Sequence, residues 1–174
     1  MTDPRPRALL LDRDGTVIDD IGYPRDPALV RLRPEVECLG ALRSDLGYRL
    51  VLVGNQSGVG RGLIRPDEAA AVQAEVERRL AAVGVGLDGA FFCFHRPDEG
   101  CACRKPRTGL LRQAAQTLGL ELRHSVMVGD KESDVGAGRA AGCATVSYGP
   151  VAHPSADASF ERWSDVAAWL RARG

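Results

Sequence analysis

The sequence has little that would mark a charged, membrane-bound or secreted protein. Its 23 basic residues are matched by 23 acidic ones, so the net charge is near zero. No field of one sign is left to draw in nucleic acid or an anionic membrane surface. No apolar run approaches the about 20 residues needed to span a bilayer. The opening Met1-Thr2-Asp3-Pro4-Arg5-Pro6-Arg7 lacks the apolar stretch of a secretory leader. These absences predict a cytoplasmic protein with no nucleic-acid or membrane partner. Cysteine is sparse and odd in number, five in all. That argues against a disulfide framework, and in a reducing compartment clustered cysteines bind metal instead. There is no internal repeat, low-complexity tract or long linker, so the 174 residues are expected to form one domain, 1–174, acting as a monomer.

What is present is a regular alternation of apolar runs and amphipathic stretches. Strands are expected at Arg7–Asp12, Tyr48–Val53, Ala90–Cys93, Ser125–Val128 and Ala144–Ser147. Helices are expected from Pro34 to Leu46, from Pro66 to Val83, from Thr108 to Leu118, from Asp130 to Ala141 and around Trp163–Arg171, where the two Trp residues would cover the core. Gly47 and Gly119 fall where C-terminal caps belong. Such a βαβα order predicts an α/β protein: a three-layer, Rossmann-like parallel sheet of about five strands with helices on both faces. No insertion is long enough for a large cap domain.

Polar residues gather directly after the strands. The first apolar run, Ala8-Leu9-Leu10-Leu11, ends in Asp12-Arg13-Asp14-Gly15-Thr16. In extended chain, residues two apart share a side, so Asp12 and Asp14 should face one space and Arg13 should turn away. Asp and Gly are also common in solvated turns, but a turn has no need of two carboxylates so placed after a wholly apolar strand. The second strand is followed by Gly54-Asn55-Gln56-Ser57-Gly58, the fourth by Asp130, Lys131 and Asp134, and Arg104-Lys105-Pro106 precedes a helix. In a parallel sheet these loops meet at the carboxyl edge, where ligands bind. Carboxylates converging there repel unless a hard cation lies among them, and an all-oxygen site suits Mg²⁺. Cationic side chains beside it suit a phosphoryl group. A phosphoryl group can transfer to an aspartate.

Cys93-Phe94-His95 and Cys101-Ala102-Cys103 place three thiolates and one imidazole within eleven residues. Four soft ligands with this paired spacing fit a closed structural Zn²⁺ site in the loop 93–103, directly before Arg104 and Lys105. Cys38 and Cys143 have no such partners and read as small buried hydrophobes. His124 and His153 stand alone and read as surface or cap residues.

Taken in order, Asp-x-Asp-Gly-Thr, Asn-Gln-Ser-Gly, Cys-Arg-Lys-Pro and Gly-Asp-Lys-x-x-Asp resemble the haloacid dehalogenase superfamily. The likeness covers about Leu9 to Gly149. More narrowly it is similar to the D-glycero-D-manno-heptose 1,7-bisphosphate phosphatases and the histidinol-phosphate phosphatases. The resemblance implies Mg²⁺-dependent hydrolysis of a small phosphorylated substrate through an aspartyl-phosphate. Asp12 would be nucleophile and metal ligand. Asp14 would be general acid, then base, and would ligate the metal through its backbone carbonyl. Arg104 and Lys105 would hold the phosphoryl group, Asp130 would be the third metal ligand, and Lys131 would contact substrate. Asp134, one helical turn further on, would support the metal ligands from behind. The Cys-x-His…Cys-x-Cys loop is similar to that of the heptose-bisphosphate enzymes. In them the region of Asp20, Gly22 and Tyr23 contacts the sugar; the residues alone read equally as a polar turn with a packed Tyr.

The chain departs from this pattern at Gly54, where Thr or Ser is usual and supplies a hydroxyl to the phosphoryl group. Asn55, Gln56 and Ser57 remain to serve it, and Gly54→Thr is expected to restore the contact if the backbone admits a side chain. Three other readings stay open. One is a histidinol-phosphate phosphatase. Another is a degenerate phosphatase with a binding role. The third, a receiver-like module, has no need of Asp14, two residues beyond its acceptor.

Overall fold

The alternating faces of five apolar strands decide this architecture. The computed structural model describes residues 6–173. Residues 1–5, part of the stretch that argued against a leader, lie outside it. The strands are β1 (Ala8–Leu11), β2 (Arg49–Asn55), β3 (Gly89–Cys93), β4 (Val126–Gly129), β5 (Ala144–Tyr148) and β6 (Ala158–Phe160). They form one parallel sheet in the order β3-β2-β1-β4-β5-β6. The helices are α1 (Cys38–Leu46), α2 (Ser57–Gly60), α3 (Pro66–Ala82), α4 (Gly109–Leu118), α5 (Glu132–Ala141) and α6 (Trp163–Arg173).

Alternate residues along each strand pack into separate cores. Leu9, Leu11, Leu50, Leu52, Val126 and Val128 lie on one face with Leu39 and Leu42 of α1, Val72, Val76 and Leu80 of α3 and Val166 and Leu170 of α6. Ala8, Leu10, Val51, Val53 and Met127 lie on the other with Leu110, Leu111 and Ala114 of α4 and Ala137 of α5. Both faces are therefore dry, which is why the strands read as continuous apolar runs.

The structure adds the one-turn helix α2 after β2 and differs from the sequence reading in three further places. A sixth strand, β6, pairs with β5; its three residues, Ala158-Ser159-Phe160, are too short and too mixed to carry a pattern. The helix expected from Pro34 begins only at Cys38, because Glu35 takes a left-handed turn at φ 64°. The Glu35 carboxylate explains that turn, since it receives the Arg162 guanidinium and the Ser164 amide ahead of α6. Trp163 is wholly buried rather than a cover. It stacks on Tyr148 at 4.8 Å and donates its indole N–H to the Thr16 carbonyl at 3.2 Å. Such a stack adds about 0.5–1.5 kcal/mol beyond its area, and it anchors α6 beneath the loop that leaves β1. Gly47 caps α1 with φ 70°, as its place in the sequence predicts.

β1 lies between β2 and β4, so the chain departs to opposite sides of it. That switch point opens a crevice beyond the strand's carboxyl end, where Asp12 stands. Among the described residues no helix is long and apolar enough to cross a membrane.

Candidate active site

A cavity of about 400 Å³ opens over the end of β1. Its walls include Asp12, Asp14, Asn55, Gln56, Ser57, Arg104, Lys105, Lys131 and Asp134, with Asp20, Gly22 and Tyr23 at the rim. Four segments far apart in sequence thus meet at one place. Asp130 faces the adjoining cleft beside Gly15 and Tyr148. One oxygen of each of Asp12, Asp130 and Asp134 lies within 4.8 Å of the others.

Lys105 is the internal counterion. Its side chain is 1% exposed, and its ammonium stands 2.7 Å from Asp12 Oδ1, 2.6 Å from Asp134 Oδ1 and 2.6 Å from the Val53 carbonyl. Burial works against its charge, but Asp12 and Asp134 raise its pKa above the ordinary lysine value. Asp134 spends its second oxygen on the Lys131 amide, at 3.0 Å. Asp130 has no comparable cation. Burial first, then the charge of Asp12, pushes its pKa up to about 7, with Lys131 opposing and Asp134 adding. A divalent cation between Asp12 and Asp130 would supply the missing charge, so the donor set fits one. Gly15 makes this possible: it holds φ 89°, and a Cβ there would lie 2.4 Å from Asp130 Oδ2.

Arg104 carries the complementary signal. Its Nη1 is buried without a hydrogen-bond partner, although the residue lines the cavity. A buried guanidinium nitrogen without an acceptor is costly, and an anionic oxygen in the cavity would satisfy it. Lys131 bridges to Asp20 at 3.2 Å across the rim, and Asp20 also accepts the Gly22 amide at 2.9 Å. Against the effect of burial, those two contacts hold the Asp20 carboxyl below its usual range.

Asp14 is held by two side chains. Arg13 leaves the strand toward α3, but its guanidinium folds back instead of turning away. It donates through Nε and Nη2 to the two carboxylate oxygens at 3.1 and 3.2 Å, and only 2% of Arg13 is exposed. The Gln56 amide donates to the same carboxylate. Burial raises the Asp14 pKa, Arg13 pulls the other way, and the charge of Asp12 adds to the rise. That direction suits a group that must carry a proton.

Asn55 has a different task from the one its position suggests. Its amide accepts from the Lys105 N–H at 3.0 Å and donates to the Lys105 carbonyl at 3.1 Å, clamping the Arg104–Lys105 segment onto β2. Gly54 is not among the residues with positive φ, so its backbone admits a side chain. The space does not: a Cβ would stand 2.8 Å from the Phe92 ring. His153, which stands alone in the sequence, reaches the Asp130 carbonyl with Nε2 at 2.9 Å and Glu132 with Nδ1 at 3.1 Å. It supports the loop that carries Asp130 from behind, and no local pattern announced it. Cys143 is buried and Cys38 half-buried; burial raises both thiol pKa values.

Beyond β3, Cys93, His95, Cys101 and Cys103 converge, with one ligand atom of each within 4.8 Å of the rest. Two of the Sγ–Sγ distances are 3.5 and 3.6 Å, and His95 Nδ1 stands 3.3 Å from Cys103 Sγ and 3.5 Å from Cys93 Sγ. A tetrahedron with metal–sulfur bonds of about 2.3 Å has edges of about 3.8 Å. The group therefore fits a metal ion with little rearrangement. Burial and the neighbouring Cys103 push the Cys93 thiol up to about 12, whereas at Cys101 burial is outweighed by hydrogen bonds from the Arg104 backbone, Cys103 and Cys93, which bring the thiol down to about 7. The loop runs directly into Arg104, which lines the cavity.

A family described as HAD-hydrolase-like matches residues 102–165. The fold and this constellation define a haloacid dehalogenase-like hydrolase. The chain is 41% identical over 133 residues to the D-glycero-beta-D-manno-heptose-1,7-bisphosphate 7-phosphatase of Helicobacter pylori, covering 76% of this chain and 77% of that protein. It is 40% identical over 145 residues to the enzyme of the same name from Yersinia pestis, covering 79% and 77%. A crystal structure of D,D-heptose 1,7-bisphosphate phosphatase from B. bronchiseptica, complexed with magnesium and phosphate, superposes with a TM-score of 0.85. That pair shares 30% identity over 97% of this chain and 99% of the other. The chain belongs to the heptose-bisphosphate phosphatase family of haloacid dehalogenase-like phosphatases, which are phosphoric monoester hydrolases.

Proposed function

We propose that this protein removes a phosphate from D-glycero-D-manno-heptose 1,7-bisphosphate, at the seventh carbon, through an aspartyl-phosphate on Asp12. The observation that carries the reading is the pairing of opposites in one cavity: a cluster of carboxylates short of a cation, and an Arg104 nitrogen short of an anion. The names of the relatives supply the substrate.

In this reading Lys105 fixes Asp12 through Oδ1 and leaves the other oxygen to attack phosphorus. Arg104 holds the phosphoryl oxygens. Asp14, whose pKa burial raises, gives a proton to the departing sugar oxygen as the phosphorus–oxygen bond breaks. It then takes a proton from the water that cleaves the acyl phosphate and frees Asp12. Asp12, Asp130 and the Asp14 carbonyl would hold Mg²⁺, which supplies charge neutralisation to the phosphoryl oxygens. Asp134 acts by holding Lys105 and the Lys131 amide. Asp20, Gly22, Tyr23, Ser57 and Lys131 face the sugar, and Gln56 and Asn55 serve Asp14 and Lys105. Cys93, His95, Cys101 and Cys103 bind a structural Zn²⁺, which needs reduced thiols and so fits a cytoplasmic location.

The test is phosphate release from a panel of both heptose bisphosphate anomers, histidinol phosphate and simple sugar phosphates. The reading expects the highest kcat/KM on a heptose bisphosphate, with the inorganic phosphate coming from carbon seven. Preference for histidinol phosphate would assign the protein to the other phosphatase group, and no release from any member would leave a binding role.

A further inference from the structure

We propose that Phe92 is a positioning residue for the proton-transferring carboxylate of Asp14, acting through Arg13, and that Gly54 is glycine because this ring occupies the place of its side chain. The inference rests on the phosphatase reading of Asp14 and extends it to a residue outside the cavity wall.

Four contacts form the chain. The β2–β3 register sets Phe92 opposite Gly54. The ring lies over the glycine so closely that an added Cβ would meet Cε1 at 2.8 Å and Cδ1 at 2.9 Å. The Arg13 guanidinium carbon stands 5.2 Å from the centroid of the same ring, within the range of a cation–π contact. Arg13 in turn grips both Asp14 oxygens, while its Nη1 donates to Gln73 of α3 at 3.3 Å.

A planar guanidinium that bonds two oxygens at once fixes their plane as well as their position. Gln73 holds it at one edge and Asp14 at another, and neither prevents rotation out of that plane. The Phe92 ring supplies the wall. Ring, guanidinium and carboxylate therefore behave as one unit, and its inner end is the group that must meet the leaving oxygen. A side chain at Gly54 would push the ring, and its Cβ would also stand 3.9 Å from Asp12 Oδ1.

The role can be separated from plain packing by the leaving group. A sugar phosphate expels a poor leaving group and needs the acid; p-nitrophenyl phosphate expels a good one and does not. In both cases kcat/KM covers the steps up to that departure and excludes the later attack of water. Phe92→Leu is expected to lower kcat/KM on the sugar phosphate by about 10- to 100-fold, part of the roughly 10²–10⁴ that a positioned acid supplies. The loss should lie in kcat more than in KM, and p-nitrophenyl phosphate should change by less than about threefold. Phe92→Tyr, which keeps the ring face, should restore the sugar phosphate rate. Phe92→Met, which keeps the apolar bulk and removes the ring face, should give the same selective loss if Phe92→Leu does not fold. Equal losses on the two substrates, or a fall in thermal midpoint alone, would overturn the role. Asp14→Asn is the reference and must itself be selective for the sugar phosphate. If it is not, the reading of Asp14 fails and this proposal with it. If it is and Phe92→Leu is not, only the proposal fails.

Discussion

Replacing Lys105 by Met would remove one charge from the centre of the molecule and keep much of its shape. The ammonium meets Asp12, Asp134 and the Val53 carbonyl at 2.6–2.7 Å, and burial leaves no water to take its place. Breaking a buried pair by deleting one partner costs about 3–5 kcal/mol, because the remaining charge stays buried and uncompensated. For a chain of 174 residues that corresponds to a fall in Tm of about 6–20 °C. The penalty should depend on pH. Asp134 already has a raised pKa, from burial first and Asp12 second, with Lys105 opposing the rise. Without Lys105 its pKa rises further, and protonation then relieves the stranded charge. The loss of stability should be large at pH 8 and smaller at pH 5. Urea unfolding of both proteins at the two pH values, without added Mg²⁺ and without chelator, measures it. Equal stability at pH 8, or a pH-independent difference, would refute the counterion role.

Cys101→Ser should lower metal content toward zero and weaken the loop, since the affinity of a structural Zn²⁺ is folding energy; elemental analysis and thermal unfolding read both effects, and metal-free wild-type protein purified without chelator would contradict the assignment. Asp130, raised to about 7 by burial and Asp12, should bind a proton in competition with Mg²⁺. Titration calorimetry should then find Mg²⁺ binding weakened as pH falls below about 7, with proton release on binding near that pH; affinity unchanged from pH 8 to pH 5.5 would contradict it. The same raised pKa stabilises the metal-free fold fully below the unfolded value of 3.8 and loses that contribution as pH rises through 7. Gly54→Thr, which the sequence alone reads as restoring a hydroxyl, should instead reduce turnover, because its Cβ collides with Phe92; steady-state kinetics decide, and a gain in kcat at full stability would contradict the crowding.

Most of the fold was legible because the strands are buried on both faces. Ala8-Leu9-Leu10-Leu11 has no polar position to confuse its reading, and Pro66 and Gly47 mark helix ends by fixed backbone preferences. β6 escaped because pairing, not composition, makes Ala158-Ser159-Phe160 a strand. The site residues were visible as clusters after strands, since topology gathers such clusters at one edge. What the sequence hides is reach. Nothing local says that Arg13 folds back onto Asp14, that Asn55 is spent on the Lys105 backbone, or that His153, more than twenty residues away, supports Asp130. Gly54 looked like a missing hydroxyl because its cross-strand partner lies on another strand, and only the register brings Phe92 over it.

The aspartyl-phosphate route is tested most directly by Asp12→Asn on heptose 1,7-bisphosphate. The amide keeps the size of the carboxylate and removes the nucleophile, so phosphate release should fall by at least ~10³-fold. Rapid-quench peptide mapping of the wild-type protein should find the phosphoryl group on Asp12. Near-native turnover by Asp12→Asn, or phosphorylation at another residue, would contradict the mechanism.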